Sequence, residues 1–196
     1  MRSIRAVGCD MDYTLIHYDE RAWELLAFEH VRERLRARGM PVSSLKFDAE
    51  LFTRGLILDT QLGNVLKANR FGYVTRAAHG TRMLTHEEQR AAYAHTWVDL
   101  SDSRWVFLNT LFSLSEVCLY AQLVDLMDQG TVDRVLGYTG LYGVVRDTMN
   151  ATHLEGELKA EVIKDPERFV QLDQALPATL LDLKHAGKLL LLVTNS

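Results

Sequence analysis

The sequence is short of the residues that staple, bend or anchor a chain. It has two cysteines, Cys9 and Cys118, far apart among 196 residues. A disulfide scaffold needs more cysteines, so a reducing, cytoplasmic setting fits better. Two cysteines and histidines without ligand spacing (His17, His30, His86, His95 and His185) offer no zinc site. There are only three prolines, and no repeat, low-complexity tract or linker interrupts the chain. Positive charge is not in excess: 22 Lys and Arg face 26 Asp and Glu, a net charge of −4. This leaves no electrostatic footprint for nucleic acid or an anionic membrane. No apolar run is longer than Leu189–Val193, far too short to span a bilayer. Arg2 and Arg5 are followed by Asp10 and Asp12 rather than by the apolar stretch of a signal peptide.

What is present is ordinary for a globular protein, with 47% hydrophobic and 24% charged residues. The length suits one domain or one and a half. Residues 4–9 (IRAVGC) predict a short strand. Trp23, Leu26, Ala27, Val31 and Leu35 recur at helical spacing over 21–38, and Gly39 and Pro41 close that helix. GLILDT, NVLKAN and YVTRAA predict an antiparallel meander over 55–78, with turns at Gly63 and Gly72. For the LILDT and NVLKAN pieces the expectation is ordinary sheet core. Trp97 and Trp105 are expected to pack inside. Over 113–128, Ser113 and Glu116 predict a capping box ahead of Val117, Ala121, Val124 and Met127. Further helices are expected over 141–153 and 177–186, the latter with Pro177 in its first turn and Gly187 at its end. KLLLLV then reads as a strand buried on both faces of a parallel sheet.

The chemistry concentrates in "GCDMDYTLIHYD", residues 8–19. Asp10 and Asp12 at i and i+2 of an extended segment share one side, just past a strand end. In open α/β sheets that carboxyl end is where ligands bind. Two close carboxylates repel unless a cation lies between them, and Mg²⁺ suits an oxygen-rich site that handles phosphate. One carboxylate can then attack phosphorus while the other moves a proton. A solvated acidic turn is the alternative reading of the same residues. The later "LLLLVTNS" adds the hydroxyls of Thr194 and Ser196 at a second strand end.

In this order the two motifs resemble the first and second motifs of the haloacid dehalogenase-like phosphohydrolases. That resemblance implies an α/β fold with a Rossmann-type parallel core and a large mixed α+β cap inserted after the first strand. By it Asp10 is the nucleophile and Asp12 the general acid/base. The Asp10 carboxylate and the Asp12 carbonyl help bind Mg²⁺, and Thr194, with Asn195 and Ser196, holds the phosphoryl group. The implied division is 1–20 and 176–196 for the core and 21–175 for the cap.

DMDYTL, RGLILDTQLGNVLKANRFG (54–72), HG (79–80) and LNTLFSLSE (108–116) together resemble the cytosolic purine 5′-nucleotidases of the IMP/GMP-preferring group. This implies a purine nucleoside monophosphate as substrate; self-association is left open. It places Asn109 and Phe112 at the base, Phe112 stacking on the purine, a contact that tolerates any base. In "VVRDTMNATHLEGELK" it places Arg146 near the purine 6-oxo group, His153 near the base and Lys159 on the phosphate side. A cationic donor at the 6-oxo position favours hypoxanthine and guanine over adenine. Asn150 stands where the pattern tends to have an aspartate, and accepts without charge. Read without the resemblance, Phe112 is a core aromatic, Arg146–Asp147 a solvated face, and His79 and His153 structural or surface residues.

A hydrolase of this type also needs a lysine and a late acidic pair, which in the family follow the second motif. Asp99/Asp102 and Asp125/Asp128 precede it and are not substitutes. The expectation is therefore the N-terminal part of a longer polypeptide, with an incomplete core. Two other readings stay open: a phosphatase for another small phosphomonoester, and a catalytically incomplete nucleotide-binding module.

Overall fold

The computed structural model describes residues 3–108 and 113–194. In chain order the first elements are β1 (Ala6–Cys9), β2 (His17–Tyr18), α1 (Glu20–Ala37), β3 (Leu56–Asp59), β4 (Asn64–Ala68), β5 (Val74–His79) and β6 (Arg82–Met83). There follow α2 (His86–Tyr93), β7 (Trp105–Leu108), α3 (Leu114–Asp128) and α4 (Gly137–Leu154). The last are α5 (Glu157–Lys164), α6 (Pro166–Phe169), β8 (Val170–Gln171), α7 (Leu176–His185) and β9 (Leu189–Leu192). The chain divides into two compact units, residues 1–23 with 160–196, and residues 24–159.

In the first unit β1 and β9 pair in parallel, with Cys9 opposite Leu192, and β2 pairs antiparallel with β8. Pro177 sits in the first turn of α7, and Gly187 at φ 72° ends it. One expectation is corrected. Leu189, Leu191 and Leu192 are 60%, 47% and 59% exposed, so β9 is not buried on both faces. The parallel sheet has two strands among the described residues, too few to sandwich a strand between helical layers. The fold is mixed α/β, and its larger sheet is antiparallel.

That larger sheet belongs to the second unit and runs β6-β5-β4-β3-β7. The expected meander forms β3 to β5, and β7 adds an edge by pairing with β3. One face buries Ile57, Leu66, Ala77 and Trp105 with Tyr93 of α2. α3 packs on β4 and β5, and α4 on α3. Val117, Leu119, Ala121, Leu123 and Val124 are all but fully buried. Trp105 joins the core, but Trp97 is 64% exposed, contrary to expectation. At Gly80 a Cβ would lie 1.9 Å from Asp125 Oδ1, and φ is 53°, so only glycine fits.

The start of α3 departs from the capping box its sequence suggests. Ser113 makes no side-chain cap. Instead Glu24 of α1, fully buried, accepts hydrogen bonds from the N–H groups of Leu114 at 3.1 Å and Ser115 at 2.6 Å. A carboxylate is the stronger acceptor and complements the helix dipole. Glu116 accepts from the Tyr142 hydroxyl of α4. A true capping box stands at α2, where the Glu88 N–H donates to Thr85 Oγ1 and the Thr85 N–H to Glu88 Oε2.

The strands read as plain core also carry a buried polar chain. Asp59, with no exposed surface, accepts from Arg104 Nε at 2.9 Å and Nη2 at 2.6 Å, and from the Tyr93 hydroxyl at 2.9 Å. Asn64 Nδ2 donates to the Tyr93 oxygen, and Asn64 Oδ1 lies 2.8 Å from His79 Nδ1. His79 Nε2 meets Asp128 Oδ2 at 2.7 Å, and the Tyr138 hydroxyl donates to Asp128 Oδ1. The acidic pair Asp125/Asp128 thus serves structure, as does His79.

Two outcomes follow. Arg104→Ala leaves the Asp59 carboxylate buried and short of its cation, at a cost of about 3 kcal/mol in urea unfolding. The Glu88 carboxyl is held at about 2, against an ordinary 4.5, first by the Arg82 guanidinium and then by the Thr85 N–H. A depressed carboxyl stabilises the fold above its ordinary titration and loses that contribution as pH falls. Stability measured by urea unfolding between pH 4.5 and 2 therefore declines less steeply in Glu88→Gln than in wild type.

Candidate active site

β1 ends at Cys9, and Asp10 follows at the carboxyl edge of the parallel pair. The chain then folds back at once. Met11 O accepts from the N–H groups of Leu15 and Ile16, both at 3.0 Å, and the Tyr13 N–H donates to Ile16 O at 2.8 Å. Tyr13 closes this loop at φ 58°, a left-handed conformation that a tyrosine rarely adopts. Asp10 Oδ1 accepts from the Met11 N–H at 2.8 Å, and Asp12 Oδ1 from the Tyr18 hydroxyl at 2.7 Å. The Tyr18 ring sits 5.7 Å from both Tyr13 and Trp23. Burial first, and the Asp12 carboxylate second, push the Tyr18 hydroxyl up to about 12.

β9 delivers the second motif to the same edge. The Val193 N–H donates to Cys9 O at 2.9 Å, so Asp10 and Thr194 leave adjacent parallel strands side by side. Asp10 and Thr194 are exposed and Asp12 half-buried. Among the described residues no cluster of three His, Cys, Asp or Glu side chains could hold a metal. The Asp10 carboxylate, exposed at the strand end, and the Asp12 main-chain carbonyl are nevertheless oxygen donors of the kind Mg²⁺ takes, with water and phosphate oxygens completing its shell.

The expected base contacts lie in the second unit. Arg146, Asn150 and His153 are spaced four and three residues apart, which puts them on one face of α4. The Arg146 guanidinium lies 5.7 Å from the Tyr142 ring centre, and its Nε 3.8 Å from Asp147 Oδ1. Beside them Glu116 is pushed up by burial, against the pull of the Tyr142 hydroxyl and the Arg146 charge. Asn150 is exposed, as is Lys159 on α5. His153 is pulled below its ordinary value, by burial first and by the Lys159 charge second.

Asn109, Phe112, Asn195 and Ser196 lie outside the described residues. The structure gathers Asp10, Asp12 and Thr194 in one unit, and Arg146, Asn150, His153 and Lys159 in the other. Sequence reasoning passed over Tyr18 and Glu24, and read Glu116 only as half of a capping box. Tyr18 stood inside the quoted motif, but no spacing rule joins a hydroxyl to a carboxylate six residues back through a reversed loop.

Removing the Lys159 charge tests the second cluster. In Lys159→Gln the His153 ring, followed by NMR, titrates at higher pH than in wild type, with burial still holding it below the ordinary 6.5.

The whole chain, residues 1–196, matches the 5′ nucleotidase family. It is 28% identical over 205 residues to a 5′-nucleotidase domain-containing protein of Dictyostelium discoideum, covering all of this chain and 34% of that one. It is also 28% identical over 212 residues to human 5′-nucleotidase domain-containing protein 1, covering 97% of this chain and 46% of that one. The bovine protein of the same name is 27% identical over 214 residues, covering 97% and 46%. The chain therefore spans between a third and a half of the length of these relatives. With the match running from its first residue to its last, the chain belongs to the 5′ nucleotidase family.

Proposed function

We propose that the protein is a Mg²⁺-dependent phosphomonoester hydrolase acting on purine nucleoside 5′-monophosphates of the IMP/GMP type. The observation that carries the reading is the shared edge of the parallel pair, where Asp10 and Thr194 leave β1 and β9 side by side. On this reading the first unit belongs to a haloacid dehalogenase-like core, and the second is the cap that recognises the base.

An Asp10 carboxylate oxygen attacks phosphorus, and the bond from phosphorus to the 5′-oxygen breaks. The leaving oxygen takes the proton of the Asp12 carboxylic acid. Water then attacks the aspartyl-phosphate and gives a proton back to the Asp12 carboxylate. The acyl phosphate bond breaks, releasing phosphate and restoring Asp10. The Thr194 hydroxyl donates to a phosphoryl oxygen. The Asp10 carboxylate and the Asp12 carbonyl would hold Mg²⁺, which when bound would supply charge neutralisation at the phosphoryl group. Arg146 donates to the 6-oxo group of the base, His153 lies by the base, Asn150 accepts from N1–H, and Lys159 serves the phosphate side.

The test is phosphate release by the full-length protein with Mg²⁺, across IMP, GMP, AMP and a sugar phosphate. Release is expected from IMP and GMP and is lost in Asp10→Asn. Turnover that survives Asp10→Asn overturns the reading. Preference for the sugar phosphate points to another phosphomonoester, and tight IMP binding without turnover to a binding module.

A further inference from the structure

The proposed reaction asks Asp12 to give a proton in one step and take one in the next. That requires its carboxyl to be held in one orientation, with one oxygen kept for the proton. The structure supplies a group suited to the task. The Tyr18 hydroxyl lies 2.7 Å from Asp12 Oδ1. Among the described residues no hydrogen bond reaches the other oxygen, Oδ2.

We infer that Tyr18 is the positioning residue for Asp12, holding Oδ1 by a permanent hydrogen bond so that Oδ2 alone carries the shuttled proton. This rests on the reading of Asp12 as the proton shuttle. The direction of the bond is fixed by chemistry. An ionised carboxylate only accepts, so the Tyr18 hydroxyl is the donor. When Asp12 is protonated the proton sits on Oδ2, and the bond to Oδ1 persists. The carboxyl therefore need not rotate between the two half-reactions.

The hydroxyl is held as firmly as the task demands. Tyr18 lies in β2, paired with Val170 of β8, and the next residue anchors the strand further through the Asp19 N–H on Phe169 O at 2.8 Å. Its ring is fixed edge-on by Tyr13 and tilted against Trp23 at the start of α1. Beside the ring a cavity of about 360 Å³ is lined by Tyr13, His17, Asp19 and Glu20.

Turnover of IMP by the full-length protein with Mg²⁺ tests this. Tyr18→Phe keeps the ring contacts, so KM stays within about twofold while kcat falls about tenfold. A loss that came from loosened packing would move KM as well. Full kcat in Tyr18→Phe, where Asp12→Ala is inactive, overturns the role of Tyr18 and leaves the proposed function standing. Full turnover in Asp12→Ala overturns the proposed function itself, and this inference with it.

Discussion

A carboxylate with no exposed surface sits at the end of β3, and the second unit is arranged around the need to satisfy it. Asp59 has two oxygens and five donors: two from Arg104, the Tyr93 hydroxyl, and the N–H groups of Gln61 and Leu62. Leaving such a charge unpaired would cost several kcal/mol, far more than one surface ion pair returns. The constraint is met by residues from three separate segments. Arg104 comes from the turn before β7, Tyr93 from the end of α2, and the amide donors from the β3–β4 turn. The edge strand, the helix on the sheet and the central hairpin are thereby placed by one group. Apolar burial favours their association, but it is non-directional and would tolerate a shifted register. The Asp59 cluster does not.

The same chain of polar contacts reaches the helices. Asn64 passes from Tyr93 to His79, and His79 to Asp128 of α3, which also takes the Tyr138 hydroxyl from the first turn of α4. Burial works against the Asp128 charge, yet Tyr138 and His79 together hold its carboxyl below the usual carboxylate range. At the other end of α3, Glu24 of α1 takes the first free N–H groups. There burial wins, and Glu24 is pushed up. α3 is thus pinned at both termini by carboxylate contacts, and α4, which carries Arg146, Asn150 and His153, packs along it.

Local features were legible in the sequence and distant ones were not. The meander, the glycine turns and the helix ends follow from period and from residues with special backbone freedom, so they were readable. So was the meeting of two strand ends at one edge, because each motif follows its own apolar strand. The cap of α3 was misread because Ser113 and Glu116 satisfy a local pattern, while the carboxylate that wins lies 90 residues away. Asp59 and Asn64 were taken for sheet core because alternation reports which face is buried, not what a polar group meets there. The exposure of β9 was missed for a related reason. An all-leucine strand states that it wants cover on both faces, but its sequence does not state how many strands stand beside it.

The opening motif is the place where local reading and structure diverge most usefully. Read as an extended segment, Asp10 and Asp12 are equivalent carboxylates on one side. The reversed loop makes them different. Asp10 accepts one hydrogen bond among the described residues, from the N–H of its own neighbour, and stays exposed at the strand end. Asp12 is half-buried and tied to a phenol on a separate strand pair. A nucleophile needs an oxygen free to approach phosphorus, whereas a proton shuttle needs a fixed direction more than freedom. On the proposed mechanism the loop thus assigns the two roles by environment rather than by residue type. The reversal passes through the left-handed Tyr13, whose N–H donates to Ile16 O, and β2 then brings Tyr18 back to Asp12.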